Sequence, residues 1–308
     1  MKILVTGAAG YIGSVLVPKL LDKHVVVALD NFRYAQHQAL ASCCGNLNFD
    51  IINGDARDMR LVEPLLRNMD AIIPLAAIVG APACAKDETS AISTNYNAIR
   101  QLCQVASRNQ LIIYPNTNSG YGTTGINVEA REETLLRPIS LYGKVKAQAE
   151  EVVMQRSNSI TLRLATVFGV SPRMRTDLLV NDFVQRAVTD RTIGIFQGHA
   201  RRNFIHVNDV AEAFIHGLRG NVKLGEVYNV GRTDANYTKI ALCELISVHI
   251  KDFRWYECRG EDPDQRDYIV NNDKIEDTGW KPKISLGFGI HELIQFYKMA
   301  GATRFTNV

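Results

Sequence analysis

Short, mostly apolar runs alternate along the first half of the chain with segments in which apolar residues recur at helical spacing. Runs this short are typical of strands covered on both faces of a parallel sheet. The apolar runs lie at residues 3–5, 25–29, 49–52, 71–75, 111–114 and 161–165. The helical patterns lie at residues 11–21, 61–66, 88–108 and 141–155. This alternation predicts an α/β fold built on a doubly wound parallel sheet of the Rossmann type.

The alternation loosens after residue 165, where a loop rich in proline and arginine begins. The apolar run at 203–207 and a further strand pattern at 227–230 predict that the chain then returns to the sheet. We therefore expect a large sheet domain and a smaller, mostly C-terminal region. The sheet domain comprises residues 1–165, rejoined by about 203–231, and the smaller region comprises residues 166–202 and 232–308.

Three glycines at a spacing of three residues, Gly7, Gly10 and Gly13, follow the first strand pattern. Between a strand and a helix, this spacing predicts a turn that brings backbone N–H groups and a helix N-terminus to a pyrophosphate. Asp30 ends the second strand pattern, where a carboxylate accepts hydrogen bonds from the adenosine ribose. Its charge repels a 2′-phosphate, so NAD is favoured over NADP, with Arg33 as the residue that would favour the phosphate.

Length, composition and charge limit the classes of function. The 308 residues suit one large α/β unit with a smaller companion, and 46% hydrophobic with 22% charged residues is ordinary globular composition. A net charge of +3 gives no reason to expect a nucleic-acid or membrane partner. The cysteines, the histidines and the carboxylates show no metal-site spacing. Without a secretory signal or a bilayer-spanning stretch, we expect a cytoplasmic protein that needs no metal.

A tyrosine and a lysine on one predicted helix are the candidates for proton transfer. Tyr142 and Lys146 are four residues apart and therefore share a helix face. A phenol with a pKa of about 10 is a poor base at neutral pH, and bringing it near 7 means favouring its anion by roughly 4 kcal/mol. The Lys146 ammonium and a cationic nicotinamide ring would both do so. On spacing alone, an amphipathic helix with an unrelated Tyr and Lys is the alternative.

Further candidates cluster at the predicted carboxyl ends of strands, where open parallel sheets bind ligands. Asp55 is one, and we also expect it to cap the helix that starts near residue 57. The loop at 76–82 and the segment at 115–122, which contains Thr117, are the others.

Together these motifs resemble the extended short-chain dehydrogenase/reductase family, the NAD-dependent nucleotide-sugar epimerases and dehydratases. The resemblance covers nearly the whole chain, including residues 202–209 and 279–282. It implies that Tyr142 is the general base, that Lys146 tunes it and that Thr117 hydrogen-bonds the reacting sugar hydroxyl. The residues that carry the resemblance and are implied to contact NAD are Gly7, Gly10, Tyr11, Ile12, Gly13, Asp30, Asn31, Asp55, Ala56, Leu75, Ala76, Ala77, Asn95, Tyr142 and Lys146. The residues implied to contact the nucleotide-sugar substrate are Val79, Gly80, Asn118, Ser119, Arg173, Arg202, Arg259 and Arg266.

Two kinds of departure from the family pattern bear on the reaction. Family members commonly have histidine where Pro74 stands and asparagine where Thr166 stands, so substrate binding transfers less well than catalysis. The 4,6-dehydratases follow the threonine with Asp-Glu, whereas Asn118 and Ser119 stand here. Because an amide and a hydroxyl cannot replace a proton-shuttling acid pair, we expect no loss of water.

The segments at 114–122 and 76–82 also resemble the nucleotide-sugar 4-dehydrogenases that act on GDP-heptoses in bacterial capsule synthesis. That resemblance implies oxidation of carbon 4 to a 4-keto sugar, with NADH reoxidised by a keto acid as second substrate. A 4-epimerase similar to UDP-glucose 4-epimerase is the alternative. A non-enzymatic NAD-binding regulator is less favoured, because Thr117, Tyr142 and Lys146 are all present. The family resemblance also implies a homodimer formed through the helices near 88–108 and 141–155.

Overall fold

The structure is a computed structural model that describes residues 1–125, 128–260 and 266–301. Its strands in chain order are β1 (Lys2–Thr6), β2 (Val25–Asp30), β3 (Phe49–Asn53), β4 (Ala71–Pro74), β5 (Leu111–Thr117), β6 (Glu129–Ala130), β7 (Ser159–Leu164), β8 (Thr166–Phe168), β9 (Thr192–Ile195), β10 (Arg201–His206), β11 (Glu226–Val230), β12 (Asn236–Thr238), β13 (Arg254–Glu257) and β14 (Ile269–Val270). Its α-helices are α1 (Gly13–Leu20), α2 (Met59–Leu66), α3 (Ala81–Lys86), α4 (Glu88–Ile92), α5 (Ala98–Val105), α6 (Leu141–Met154), α7 (Leu179–Thr189), α8 (Val207–Leu218), α9 (Lys239–His249), α10 (Asp273–Glu276) and α11 (Leu286–Ala300).

A seven-stranded sheet in the order β11-β7-β5-β4-β1-β2-β3 organises the described residues. Every neighbouring pair in it is parallel. From β1, successive strands are added on one side as β2 and β3 and on the other side as β4, β5 and β7. Doubly wound sheets bind their ligands in the crevice at the carboxyl ends of the strands where this direction changes. The predicted fold class, a parallel Rossmann-type sheet, is confirmed.

Alternate side chains of β1 show why the sheet needs helices on both faces. Ile3 and Val5 are buried in one hydrophobic cluster, which includes Leu16 of α1. Leu4 is buried in a second cluster, which includes Val62 of α2. Because strand side chains alternate between faces, a strand that is apolar at every position must be covered twice.

The region after residue 165 forms small sheets, one of which includes β6 from the first half of the chain. β8, β10 and β12 make a three-stranded sheet, β9 pairs with β13, and β6 pairs with β14. The run at 203–207 therefore does not return to the large sheet, because β10 pairs with β8 and β12 instead. The return begins with α8, which packs against α1, and continues with β11, which pairs with β7.

Two boundaries matter for the site. The pattern at 88–108 is not one regular helix, because a π-helical turn at Ser93–Asn97 separates α4 from α5. β5 continues three residues past the predicted end at 114, so Thr117 is its last residue. None of the helices within the described ranges combines the length and the apolar character needed to cross a membrane.

Candidate active site

A cavity of about 520 Å³ lies at the carboxyl ends of the central strands. The glycine turn, Asp30, Thr117, Tyr142 and Lys146 line one side of it. Residues of the smaller region line the other side. Most of the predicted site residues are therefore brought to one wall or the other of a single cavity.

The glycine turn leaves no room for side chains where the backbone closes on the next strand. Gly7 has a φ of +67°, and a Cβ at this position would lie 2.5 Å from the Ala76 nitrogen. A Cβ on Gly13 would lie 2.4 Å from the Ala8 oxygen. The turn opens onto the cavity and leads directly into α1. This cradle fits the pyrophosphate of a dinucleotide.

Asp30 is buried at the end of β2, with 6% of its surface exposed. Its Oδ2 accepts a hydrogen bond from the Ala9 N–H at 2.9 Å, and its Oδ1 accepts from the Phe32 N–H at 2.8 Å and from Gln36 Nε2 at 3.2 Å. Burial raises the pKa of Asp30, and the two backbone bonds oppose that rise. Asp30 Oδ2 can accept one more hydrogen bond, from a ribose hydroxyl. A second ribose hydroxyl could bind Oδ1 only by displacing Gln36.

Asp55 lies at the mouth of the cavity, where Arg57 and Asn31 bind it. Arg57 Nη2 lies 2.6 Å from Asp55 Oδ2, and the Arg57 N–H donates to Oδ1 at 2.9 Å. These bonds and one from the Asn31 side chain hold the pKa of Asp55 below its usual range. The expectation that Asp55 caps a helix was wrong. The N-cap of α2 is Asp58, whose carboxylate accepts from the Arg60 N–H.

Asn95 is placed behind the loop that follows β4 and not on the cavity wall. Its Oδ1 accepts from the Ile78 N–H and its Nδ2 donates to the Ile78 carbonyl, both at 2.8 Å. These bonds hold the loop of Ala76, Ala77 and Val79 in the wall, and the predicted contact of Asn95 with NAD stays a prediction. Asn95 lies in the π-helical turn, whose geometry the sequence pattern did not indicate.

Thr117 and Tyr142 meet inside the cavity because a strand end faces a helix start. Ser140 caps α6 by accepting from the Gly143 N–H, which fixes the first turn that carries Tyr142. Thr117 and Tyr142 both line this cavity, and the Thr117 side chain lies close enough to the phenol to lower the pKa of Tyr142. The Thr117 hydroxyl also lies 2.9 Å from Ser119 Oγ. Two hydroxyl groups thus converge where a sugar hydroxyl would have to react.

The pKa of Tyr142 in the protein alone is set by burial and by nearby charges. Burial raises the pKa of Tyr142 to about 12, and nearby Cys84 acts in the same direction. The groups that lower it are Arg175, Arg266 and the hydrogen bond from Thr117. The cations that act on this phenol in the protein alone therefore come from the smaller region, not from Lys146.

Lys146 lies one turn farther along α6 and is almost completely buried, with 4% of its surface exposed. Its Nζ lies 4.0 Å from the centre of the Tyr114 ring, a cation–π distance. Burial lowers the pKa of Lys146 to about 7, while Glu150 and the Cys84 thiol favour the charged form. Lys146 is therefore poised to change charge near neutral pH.

The arginines predicted for the substrate do not all lie at one place. Arg173 lies 5.0 Å above the Tyr34 ring, and its charge acts on Asp30, so it lies at the cofactor end. Arg202 and Arg266 do line the cavity, and Arg202 donates to the main-chain oxygen of Arg266. Arg259 is exposed and lies outside the cavity wall.

Two neighbouring residues of the segment after β5 have separate positions. Ser119 lines the cavity and accepts a hydrogen bond from Arg266 Nη1. Asn118 is fully buried outside the wall, and neither atom of its amide has a hydrogen-bond partner. The predicted substrate contact through Asn118 stays a prediction, and it would require this buried amide to become accessible from the cavity.

The sequence did not single out two basic residues that the smaller region adds to the wall, Arg175, which is one of several loop arginines, and Lys239. Arg175 is buried and forms an ion pair with Asp177 at 2.5 Å. Lys239, the first residue of α9, donates to the Phe196 carbonyl at 2.8 Å. Neither residue had a signal of its own beyond being a basic residue after position 165.

The segment that leads to Arg173 is attached to the glycine turn by a set of short hydrogen bonds. Tyr11 donates from its hydroxyl to the Gly169 carbonyl at 2.6 Å, and Ser171 donates to the Tyr11 carbonyl at 2.7 Å. Ser14 Oγ lies 2.9 Å from Ser171 Oγ. The two sides of the cavity are therefore joined at the cofactor end. In the described part of the chain, no group of histidine, cysteine and carboxylate side chains is arranged to hold a metal ion.

The sequence profile of the NAD dependent epimerase/dehydratase family matches residues 3–231. The low-salt glycan biosynthesis protein Agl12 of Haloferax volcanii is 29% identical over 309 residues, covering 96% of this chain and 98% of that protein. UDP-glucuronic acid decarboxylase 3 of Arabidopsis thaliana is 29% identical over 306 residues, covering 94% and 87%. The chain belongs to the NAD-dependent epimerase/dehydratase family.

Solved structures agree with this family. UDP-glucuronic acid 4-epimerase of Bacillus cereus, in complex with UDP-glucuronic acid and NAD, has a TM-score of 0.86 at 25% identity and covers 97% of this chain and 100% of that chain. The dTDP-glucose 4,6-dehydratase of Bacillus anthracis, in complex with NAD, has a TM-score of 0.84 at 24% identity, covering 98% and 97%. The predictions of an enzyme and of NAD as its cofactor are confirmed.

Proposed function

We propose that this member of the family oxidises carbon 4 of a nucleotide sugar to a 4-keto sugar. The observation that carries the proposal is that Thr117 and Tyr142 line the same cavity as a glycine turn that fits a dinucleotide. Lys146, one helical turn from Tyr142, is the third of the proposed catalytic residues. The resemblance of the chain to enzymes of UDP-glucuronic acid supports a nucleotide-sugar substrate.

In this proposal Tyr142 accepts the proton of the carbon-4 hydroxyl, and Thr117 holds that hydroxyl in place. NAD, when bound, supplies the hydride acceptor and a positively charged ring. Because burial raises the pKa of Tyr142 to about 12, the phenolate needs every nearby positive charge. Arg175 and Arg266 supply two of these from the smaller region.

The fate of the 4-keto sugar separates two functions. One is a 4-dehydrogenase, in which a keto acid reoxidises the NADH. The resemblance to the enzymes that oxidise GDP-heptoses supports this function. The other is a 4-epimerase, in which the hydride returns to the opposite face of the sugar. The full-length likeness to UDP-glucuronic acid 4-epimerase supports the second equally well. Neither needs an acid pair beside Thr117, where Asn118 and Ser119 stand.

Mass spectrometry of the sugar product tests the proposal. The protein is incubated with NAD and, in separate reactions, UDP-glucose, UDP-glucuronic acid and a GDP-heptose, each with and without 2-oxoglutarate. An isobaric product with changed retention indicates epimerisation, and a product lighter by two hydrogens that requires 2-oxoglutarate indicates the dehydrogenase. A product lighter by one water would contradict the proposed mechanism, because no carboxyl pair is present to eliminate it.

A further inference from the structure

A buried ionic network lies behind the catalytic residues, on the side of α6 that faces the sheet. Glu150 and Arg163 are each 5% exposed and form a two-pronged ion pair, with Arg163 Nη2 2.5 Å from Oε1 and Arg163 Nε 3.1 Å from Oε2 of the carboxylate. Asn116 Nδ2 donates to the same Oε2 at 2.5 Å. The pair therefore has a third, neutral member.

Asn116 connects this network to Thr117. While its Nδ2 faces the carboxylate, its Oδ1 accepts a hydrogen bond from the Thr117 N–H at 2.8 Å. An ionised carboxylate only accepts hydrogen bonds, so Glu150 forces the amide to present its oxygen to Thr117. Glu150 thus fixes the backbone of the residue whose hydroxyl meets Tyr142.

The same carboxylate acts on Lys146, which lies one helical turn before it on α6. The other groups that contact or act on the Lys146 ammonium are the Tyr114 ring of β5 and the Cys84 side chain of α3. Of the charges that act on Lys146, Glu150 is the principal one favouring the ammonium. Arg163 is bound to the same carboxylate.

Stability alone is a weak reason for such an arrangement. A buried ion pair costs desolvation that its attraction barely repays, and well-packed apolar residues often replace one without loss. Arg163 also donates to the Tyr121 hydroxyl and to the Glu132 carbonyl, both at 2.9 Å. The network is therefore anchored by residues outside the cavity wall, while its carboxylate binds Asn116, the neighbour of Thr117.

We propose that Glu150 is a positioning residue of the reaction, which orients Thr117 through Asn116 and places a negative charge one helical turn from the Lys146 ammonium. This inference rests on the proposed roles of Thr117, Tyr142 and Lys146.

The charge is tested without any substrate. Lysine side chains are labelled with ¹³C, and the titration of Lys146 is followed by NMR, with its signal assigned from a Lys146→Met variant. Glu150 raises the pKa of Lys146, so Glu150→Gln should lower the titration midpoint below the wild-type value of about 7, by on the order of one unit. Glu151→Gln, an exposed neighbour on the same helix, is the matched control and should leave the midpoint unchanged.

Two further variants keep the test decisive if Glu150→Gln does not fold. Glu150→Asp keeps the charge, so the Lys146 midpoint should stay near the wild-type value. The double variant of Glu150→Gln with Arg163→Gln removes the unpaired cation and should still show a lowered midpoint. If the Lys146 midpoint is the same in the wild type and in every variant that removes the Glu150 charge, the proposed effect of Glu150 on Lys146 is overturned.

The orientation of Thr117 is tested by rate. Once the product assay has identified a substrate, Asn116→Ala should lower the single-turnover rate of NADH formation about tenfold, without moving the Lys146 midpoint or the affinity for NAD. An unchanged rate would overturn this part of the inference. Wild-type protein that makes no 4-oxidised sugar would count against the proposed function instead, and the NMR titration would still be readable.

Discussion

The two sides of the cavity differ in how their functional residues are held. On the sheet side, Asp30 and Thr117 are the last residues of β2 and β5, and backbone N–H groups bind both side chains. On the other side, Arg173, Arg202 and Arg266 come from loops or small sheets. The position of a side chain at a strand end is fixed by the sheet, whereas the position of a side chain on a loop depends on the contacts that the loop makes with other segments. The sheet side is therefore the more predictable one.

The two sides also differ electrostatically, and each needs the other. Burial on the sheet side disfavours both charged forms, since it raises the pKa of Tyr142 to about 12 and lowers that of Lys146 to about 7. The cations that favour the phenolate, Arg175 and Arg266, belong to the opposite side. The sheet side supplies the geometry of proton transfer, and the smaller region supplies part of its charge.

The largest expected effect is on the sheet side, at the base. Tyr142→Phe removes only the phenolic oxygen, so NAD should still bind while the rate of hydride transfer falls by about 10²–10⁴-fold. Stopped-flow absorbance of NADH in a single turnover measures the rate, and calorimetry measures the binding of NAD. Tyr256→Phe changes an exposed ring and is the matched control. A near wild-type rate in Tyr142→Phe would remove Tyr142 from the mechanism.

The next effect is on cofactor choice at Asp30. Asp30→Asn keeps the shape but removes the charge, so the preference for NAD over NADP should narrow by about tenfold or more, the scale of one hydrogen bond to a charged group. Calorimetry with each cofactor measures this preference. Asp50→Asn, on the exposed side of β3, should leave it unchanged. If the wild-type protein binds both cofactors equally, Asp30 does not exclude the 2′-phosphate, and Arg33, which also lines the cavity, is the residue that would bind it.

Most of the sheet side could be predicted because its signals are local. The spacing of Gly7 and Gly13, the acid at Asp30 and the four-residue step from Tyr142 to Lys146 each follow from strand or helix geometry. Asn95 shows the limit of this reasoning. Its side chain lies behind the cavity wall because a π-helical turn interrupts the helix that carries it.

The smaller region was less predictable because its residues depend on contacts made far along the chain. Arg173 is drawn to the cofactor end by the bonds between Ser14, Ser171 and Tyr11. No pattern near residue 173 carries that information. The segment at 203–207 looked like another strand of the large sheet because it is apolar, but apolarity does not say which sheet a strand joins.

The smallest expected effect is on the KM for the substrate, and it is measured by comparing two arginines of the smaller region. Arg266 lines the cavity beside Ser119, whereas Arg259 is exposed outside it. Arg266→Gln should raise the KM for the nucleotide sugar by about three- to fivefold, the scale of a partly solvated ionic contact, and Arg259→Gln should leave it unchanged.

The pH dependence distinguishes a binding role of Arg266 from its electrostatic one. Arg266 lowers the pKa of Tyr142, so its removal should raise that pKa further above the ordinary value. The phenolate then forms only at higher pH, and the ascending limb of the rate against pH should move upwards in Arg266→Gln but not in Arg259→Gln. A raised KM with an unmoved limb would confine Arg266 to substrate binding. A shared profile and KM for both variants would show that the charge of Arg266 does not reach the base.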